Sequence, residues 1–494
     1  MRIEHFDVAI VGAGLSGVGA AVHLREKCPG KTFVILEGRD RIGGTWDLFR
    51  YPGVRSDSDM YTLGYSFKPW REAKSIADGP SILQYVKDAA REHDVARHIR
   101  YRHRVTKAAW SSEQATWHVE TEHGESGERV CFTCNFLYLC AGYYSYRQGH
   151  TPAFAGRERF KGQVVHPQAW PENLDYAGKR VLVIGSGATA MTLVPAMAKA
   201  AGHVAMLQRS PTYVVSRPER DAIANFLRKV LPERWAYAIT RWKNVAFQQR
   251  VYRRTRSHPQ LVKKVLLDMV RKELGPDFDI ETHFTPRYNP WDQRLCLIPN
   301  SDLFEALRSG KASVVTDQLD SFTEKGVRLQ SGRELEADII VTATGLNLVL
   351  LGEMQFSVDG KPVDFAKTWT YKGLMVSDVP NLVSTFGYIN ASWTLRADLT
   401  AEYVCRLLKH MDKRGARQAA PRLRPGDAGM PERPWVDGFS SGYMRRTMHL
   451  FPRQGDREPW INPQNYGRDK KMIRSAALED GVLQFSNPAL RDAA

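Results

Sequence analysis

The sequence predicts an α/β fold in which two doubly wound units share one chain with a helical insertion. Three observations predict it. Over residues 6–37 an apolar strand, a glycine turn, a helix and a second strand follow one another, and over residues 179–209 the same order returns. Residues 221–275, rich in Ala, Leu, Arg, Lys and Trp, read as helix with breaks only at Pro232 and Pro259. The 494 residues suffice for about three domain-sized units, because a single core rarely grows past ~250 residues. With 43% hydrophobic and 25% charged residues, the composition is that of an ordinary folded, soluble chain.

The first element is a strand over residues 6–11. Its apolar run Val8-Ala9-Ile10-Val11 is preceded by Glu4 and Asp7 and followed at once by glycines, so it reads as a strand and not as a secretory signal. Nowhere do 18 apolar residues run together, so no membrane-spanning helix is expected. Six scattered cysteines do not make a disulfide framework in a chain of this size, and a reducing, cytoplasmic setting fits them best. Cys131 and Cys134 form a lone C-x-x-C inside an apolar strand, where residues three apart point to opposite faces. No second pair completes a zinc site, and neither metal nor redox use is expected.

The turn Gly12-Ala13-Gly14-Leu15-Ser16-Gly17 is a G-x-G-x-x-G that follows a strand and opens a helix over residues 16–26. Gly12 permits the tight turn, Gly14 lets backbone approach a pyrophosphate, and Gly17 lets helix pack on strand, with the helix N-terminus facing the phosphate. Glu37, twenty residues after Gly17 at the end of the next strand, is placed to take ribose hydroxyls. A carboxylate there repels a 2′-phosphate, so the ligand is FAD or NAD and not NADP. Gly43-Gly44-Thr45-Trp46, where backbone can again lie against a cofactor, favours FAD.

The second turn, Gly185-Ser186-Gly187-Ala188-Thr189-Ala190, is a G-x-G-x-x-A, and the strand after its helix runs into Gln208-Arg209-Ser210. An arginine now stands where the first unit has Glu37. Its guanidinium can pair bidentately with a 2′-phosphate, so NADPH is predicted over NADH. The two units are therefore expected to be Rossmann-like dinucleotide-binding domains. The FAD domain is formed by residues 1–145 and 346–494, and the NADPH domain by 146–345 with the helical insertion at about 216–285. The apolar runs 136–142 and 338–345 end in small residues and mark where the chain crosses between them. Residues 412–436, with four prolines, are expected to be an exposed loop.

Net charge is +16, and residues 217–273 hold fifteen Lys or Arg against five Asp or Glu. With Trp235, Tyr237, Trp242, Phe247 and Tyr252 interleaved, this segment could lie on an anionic membrane or form a solvated helical cap over the NADPH domain. No recognition motif accompanies the charge, so nucleic acid is not an expected partner. The sequence does not specify an oligomeric state.

Residues 160–171, Phe-Lys-Gly-Gln-Val-Val-His-Pro-Gln-Ala-Trp-Pro, match F-x-G-x-x-x-H-x-x-x-W-P without a gap. Gly43, Gly44, Trp46, Tyr51, Pro52, Gly53 and Asp57 match a second signature. On these motifs the chain resembles the type I Baeyer–Villiger monooxygenases over essentially its whole length. Residues 47–50, 289–296 and 390–394 look most like the ethionamide-activating branch. The resemblance implies that Ser16, Glu37, Thr45, Trp46, Asp57 and the backbone at Val105 contact FAD. It implies that Arg55, Ser56 and Asp57, the turn from Gly185 to Met191, and Arg209 with Ser210 contact NADPH. Arg294 falls where the family places its active-site arginine, although Gln293 precedes it where other branches carry lysine.

The implied activity is that of an FAD-dependent, NADPH-consuming monooxygenase, which uses O2 to form a flavin C4a-peroxide. It would insert one oxygen atom into ketones, giving esters or lactones, or oxidise sulfur compounds such as thioethers and thioamides. The alternative is a sulfur- or nitrogen-oxygenating flavin-containing monooxygenase without Baeyer–Villiger activity, a group that lacks the closing Trp170-Pro171. Arg294, always protonated, is the candidate for stabilising developing negative charge, a contribution of ~3 kcal/mol from one preorganised donor. Asp57 is the candidate to hold it. His166 is expected to position structure and not to transfer protons; Trp170 serves either packing or the exclusion of water. A flavin disulfide reductase would need a redox cysteine pair, and neither half of the chain offers one.

Overall fold

The computed structural model describes residues 3–488. Strand Glu4–Val11 lies parallel to Phe33–Leu36 on one side and to Glu128–Leu139 on the other, with Val8 opposite both Phe33 and Phe136. Because its side chains alternate, Val8 and Ile10 enter one core while Ala9 and Val11 enter a second. Burial on both faces is the reason this run is apolar at every position and not at every other one. The sheet reaches nine strands, ending on Ile99–Arg100 beyond Phe33–Leu36. On the other flank it continues antiparallel through Thr116–His123 and His103–Ser111.

The second sheet is parallel throughout, in the order Ala312–Thr316, His203–Gln208, Arg180–Ile184, Ile339–Thr342, Gln163–Val165. It repeats the two-sided logic: Val181 and Val183 pack on one face, Leu182 and Ile184 on the other. In the first unit, helix Leu15–Lys27 closes one face and packs beside Trp393–Arg414, where the buried His23 meets Asp398 and Cys28 meets the carbonyl of Cys405. A Cβ on Gly17 would sit 1.8 Å from the carbonyl oxygen of Gly12, so helix and turn approach as closely as backbone allows.

The chain leaves the first sheet after Leu139 and returns to it at Gln355. Its outgoing strand Tyr144–Gly149 and returning strand Leu346–Leu348 pair with each other as an antiparallel ribbon. The apolar runs 136–142 and 338–345 lie immediately before these two strands.

The segment read as helical forms Ala222–Val230, Glu233–Ser257 and Pro259–Leu274, broken at Pro232 and His258. It is more than a cap over the second sheet. Tyr237 donates its hydroxyl to the carbonyl of Tyr65 at 2.8 Å, Arg241 reaches the carbonyl of Gly64 at 2.7 Å and Asp398 at 3.2 Å, and Asn244 donates to Asp59 at 2.9 Å. One face of the long helix is thereby fastened to the first unit.

Residues 412–436 are not simply an exposed loop. Gln418–Pro421 pairs antiparallel with Leu483–Ser486, and Met430, Trp435 and Val436 are buried. The prolines set the turns, while the apolar residues between them supply the packing. Cys131 is exposed and Cys134 buried, on opposite faces of one strand. Among the described residues no helix is long and apolar enough to cross a membrane.

Candidate active site between the two sheets

A cleft of about 470 Å³ opens where the first glycine turn meets the second unit. Gly12, Gly14, Ser16, Glu37, Gly44, Thr45, Trp46, Arg55, Ser56, Asp57 and Val105 line it from the first unit, and Ala188, Thr189 and Arg294 from the second. Gly17 stands behind the turn, against Gly12.

The turn is built by backbone. Gly12 has φ +102°, and the Gly43 N–H donates to the Ala13 carbonyl at 3.0 Å, holding the second glycine pair beside the first. Glu37 accepts the N–H groups of Ala13 at 2.7 Å and Arg39 at 2.9 Å. Burial raises its pKa from the ordinary carboxylate value, and these two donors pull it back down. Ser16 accepts the indole N–H of Trp393 at 2.7 Å, and Tyr143 stacks on that indole with ring centroids 5.1 Å apart.

Two glycines test whether a ligand fits. A Cβ on Gly14 would make only ordinary contact with Gly44, and one on Gly187 would meet nothing within 4 Å. Packing therefore demands neither glycine. Both cap helices whose first turns receive no side-chain cap, which leaves N–H groups free for an anion at each site. An extended dinucleotide in each unit satisfies both facts.

Arg294 and Asp57 meet across the cleft, with Nε and Nη2 of the arginine 2.9 and 2.5 Å from one carboxylate oxygen. Asp57 holds the guanidinium well above its ordinary pKa, so its charge is fixed. The tyrosines Tyr143, Tyr144 and Tyr443 surround it, and burial pushes all three phenols up and keeps them neutral. Tyr143 and Tyr144 share a hydrogen bond of 2.7 Å.

The other predicted residues divide. Arg55 is held by Asp302 at 2.5 Å, and Ser56 closes a local turn with Ser58. Ser186 donates to the carbonyl of Ser210 at 3.1 Å, which joins the second glycine turn to the exposed Arg209 and Ser210 outside the main cleft. Ala190 and Met191 are buried in the helix core, so the second turn presents Gly185, Ser186, Gly187, Ala188 and Thr189 instead.

His166 lies by the crossing ribbon. Its Nδ1 accepts the N–H of Gln168 at 3.1 Å and its Nε2 donates to the carbonyl of Gly345 at 3.2 Å, a pattern that only the neutral ring satisfies. Trp170 packs half-buried against the second unit's core.

Sequence reasoning missed Tyr143, Tyr144, Tyr443 and Asp302. The aromatic pair directly after Gly142 was a usable signal; Tyr443 and Asp302 carried none.

The profile of the flavin-binding monooxygenase-like family matches residues 6–414. The chain belongs to that family. It is 53% identical over 484 residues to the FAD-containing monooxygenase EthA of Mycobacterium tuberculosis, covering 98% of each chain. It is 49% identical to the probable FAD-binding monooxygenase AlmA of Acinetobacter baylyi, over 98% of this chain and 96% of that one. Among solved structures, oxidized steroid monooxygenase bound to NADP superposes with a TM-score of 0.76 at 24% identity, covering 98% of this chain and 100% of that one. Cyclohexanone monooxygenase bound to epsilon-caprolactone gives 0.70 at 22% identity, covering 86% and 90%. The family therefore has the expected fold class, and the likeness to the ethionamide-activating branch extends over the whole chain.

Proposed function

We propose that the protein is an FAD-dependent, NADPH-consuming monooxygenase of the Baeyer–Villiger type. Its substrates are ketones, converted to esters or lactones, or sulfur compounds such as thioethers and thioamides. The observation that carries this reading is the Arg294–Asp57 pair inside a cleft that is continuous with the first glycine turn and Glu37. In this reading Gly12, Gly14, Ser16, Glu37, Gly44, Thr45, Trp46 and Val105 hold FAD. Arg55, Ser56, Asp57, the turn from Gly185 to Thr189, and Arg209 with Ser210 hold NADPH. Residues 1–145 with 346–494, and 146–345, are the corresponding domains.

FAD held by these residues would supply hydride acceptance from NADPH and the activation of O2. The chain supplies the rest. Arg294 presents a fixed positive charge where negative charge develops on oxygen, and Asp57 fixes its direction. The neutral tyrosines around it, with Trp393, exclude water without offering a competing anion. Trp170 and Pro171 favour the Baeyer–Villiger reading over a flavin-containing monooxygenase without that activity. The test is NADPH consumption under ¹⁸O₂ with a panel of linear ketones, cyclic ketones and thioethers. The expected result is one labelled oxygen in an ester, lactone or sulfoxide; NADPH oxidation with hydrogen peroxide as the only product across the panel would refute the proposal.

A further inference from the structure

Of the thirteen large hydrophobic side chains exposed among the described residues, ten lie between residues 223 and 269. On helix Ala222–Val230 they are Ile223, Phe226 and Val230; on helix Glu233–Ser257 they include Trp235, Ile239 and Trp242. Spacings of three and four put each set on one helix face. The opposite faces are the docked ones. Asn225 and Arg228 donate to carbonyls of Ala73 and Arg71, while Tyr237, Arg241 and Asn244 bind the first unit as described above.

The outward faces of these helices are thus apolar where a surface helix is usually polar, while the docked faces combine polar anchors with the buried Ala224, Ala236 and Tyr237. Trp235 and Trp242 are 67% and 72% exposed. Lys229, Arg234, Arg250 and Arg253 stand exposed on the same two helices. The wider segment carries the surplus of ten positive charges that follows from fifteen basic and five acidic residues.

We propose that this face docks on the surface of a lipid bilayer bearing anionic headgroups. The aromatic and aliphatic side chains enter the headgroup–acyl boundary, where indole rings are favoured, and the basic residues meet lipid phosphates. Ile223, Val230 and Ile239 give a nucleic acid neither a stacking surface nor a hydrogen bond, so the apolar half of the face selects lipid. The helices lie along the membrane plane, and none crosses it.

The test uses the flavin-loaded full chain in co-sedimentation with vesicles of phosphatidylcholine containing 30% phosphatidylglycerol, and with pure phosphatidylcholine. Two variants are compared, Trp235→Ala with Trp242→Ala, and Lys229→Glu with Arg234→Glu and Arg250→Glu. The expected result is binding to the anionic vesicles that weakens as salt rises, a blue shift of tryptophan emission on binding, and at least tenfold weaker binding by each variant, with flavin content and NADPH oxidation unchanged. Three results would overturn the proposal: no binding at low salt, binding unaltered by both variants, or duplex DNA retained as tightly as anionic vesicles. Conversion of a soluble oligomer to monomer by the tryptophan variant, without any vesicle binding, would assign the face to a second copy and likewise overturn it.

Discussion

Two single residues carry much of the cofactor logic. In the proposed reading Glu37, bonded to the Ala13 and Arg39 amides, sets a carboxylate that would repel a 2′-phosphate, and the exposed Arg209 stands at the matching place of the second unit. A charge-assisted hydrogen bond contributes ~1.5–3 kcal/mol, so Arg209→Ala is expected to lower the preference for NADPH over NADH by about 10–100-fold. The ratio of kcat/KM for the two nucleotides measures it, and an unchanged ratio would remove Arg209 from the site. His166 gives a prediction in pH. Burial lowers its pKa from the ordinary value of 6.5, and backbone hydrogen bonds to Gly345 and His150 offset only part of that lowering. A histidine depressed in this way contributes stability that is present above about pH 6.5 and is lost as pH falls through that value towards the folded pKa. Melting temperatures measured from pH 7.5 to 5.0 should therefore fall less steeply for His166→Gln than for the parent; parallel curves would show that the ring does not carry this term. Glu37 and Arg209 were legible because each lies a fixed distance from a glycine motif. The pairing of Arg294 with Asp57 was legible only through family resemblance, since 237 residues separate them and no local pattern links the two. Tyr443 was not legible, because its short helix Gly442–Thr447 has no periodicity to read.

At the scale of elements, the two glycine turns separate folding from binding. Gly17 faces the backbone oxygen of Gly12, which cannot move aside, whereas Gly187 faces open space. Gly17→Ala should therefore compromise folding, read as loss of soluble, flavin-loaded protein. Gly187→Ala should leave folding and flavin content intact and raise KM for NADPH about tenfold, a change of ~1.4 kcal/mol. Thermal unfolding together with steady-state kinetics distinguishes the two, and equal effects on stability would contradict the assignment. The strand–turn–helix units were legible because both faces of their strands are buried, which writes continuous apolar runs into the sequence. Residues 412–436 were misread for a related reason. Four prolines mark turns, but the Gln418–Pro421 strand is short and pairs with a partner at Leu483–Ser486, and no local signal reports a distant partner.

At the scale of the whole molecule, the first glycine turn with Glu37 and the start of the second unit's helix at Ala188 and Thr189 line one cleft with a charge-fixed arginine in it, while Arg209 stands exposed outside that cleft. The crossing ribbon of Tyr144–Gly149 and Leu346–Leu348 connects the sheets, and the long helix Glu233–Ser257 ties the inserted helices back to the first unit through Arg241 and Asp398. The neutral His166, packed over Gly149 where a Cβ would fall 1.9 Å from its ring, fixes the ribbon to the second sheet. The measurement that tests this account most directly is the yield of oxygenated product per NADPH in the parent and in Arg294→Ala, with flavin reduction followed first without oxygen and product counted after oxygen is admitted. Reduction of bound FAD in both proteins, with product near one per NADPH in the parent and a yield at least about 100-fold lower in the variant, is the predicted result. An unaltered product yield in Arg294→Ala, or a parent protein that cannot retain FAD, would contradict it.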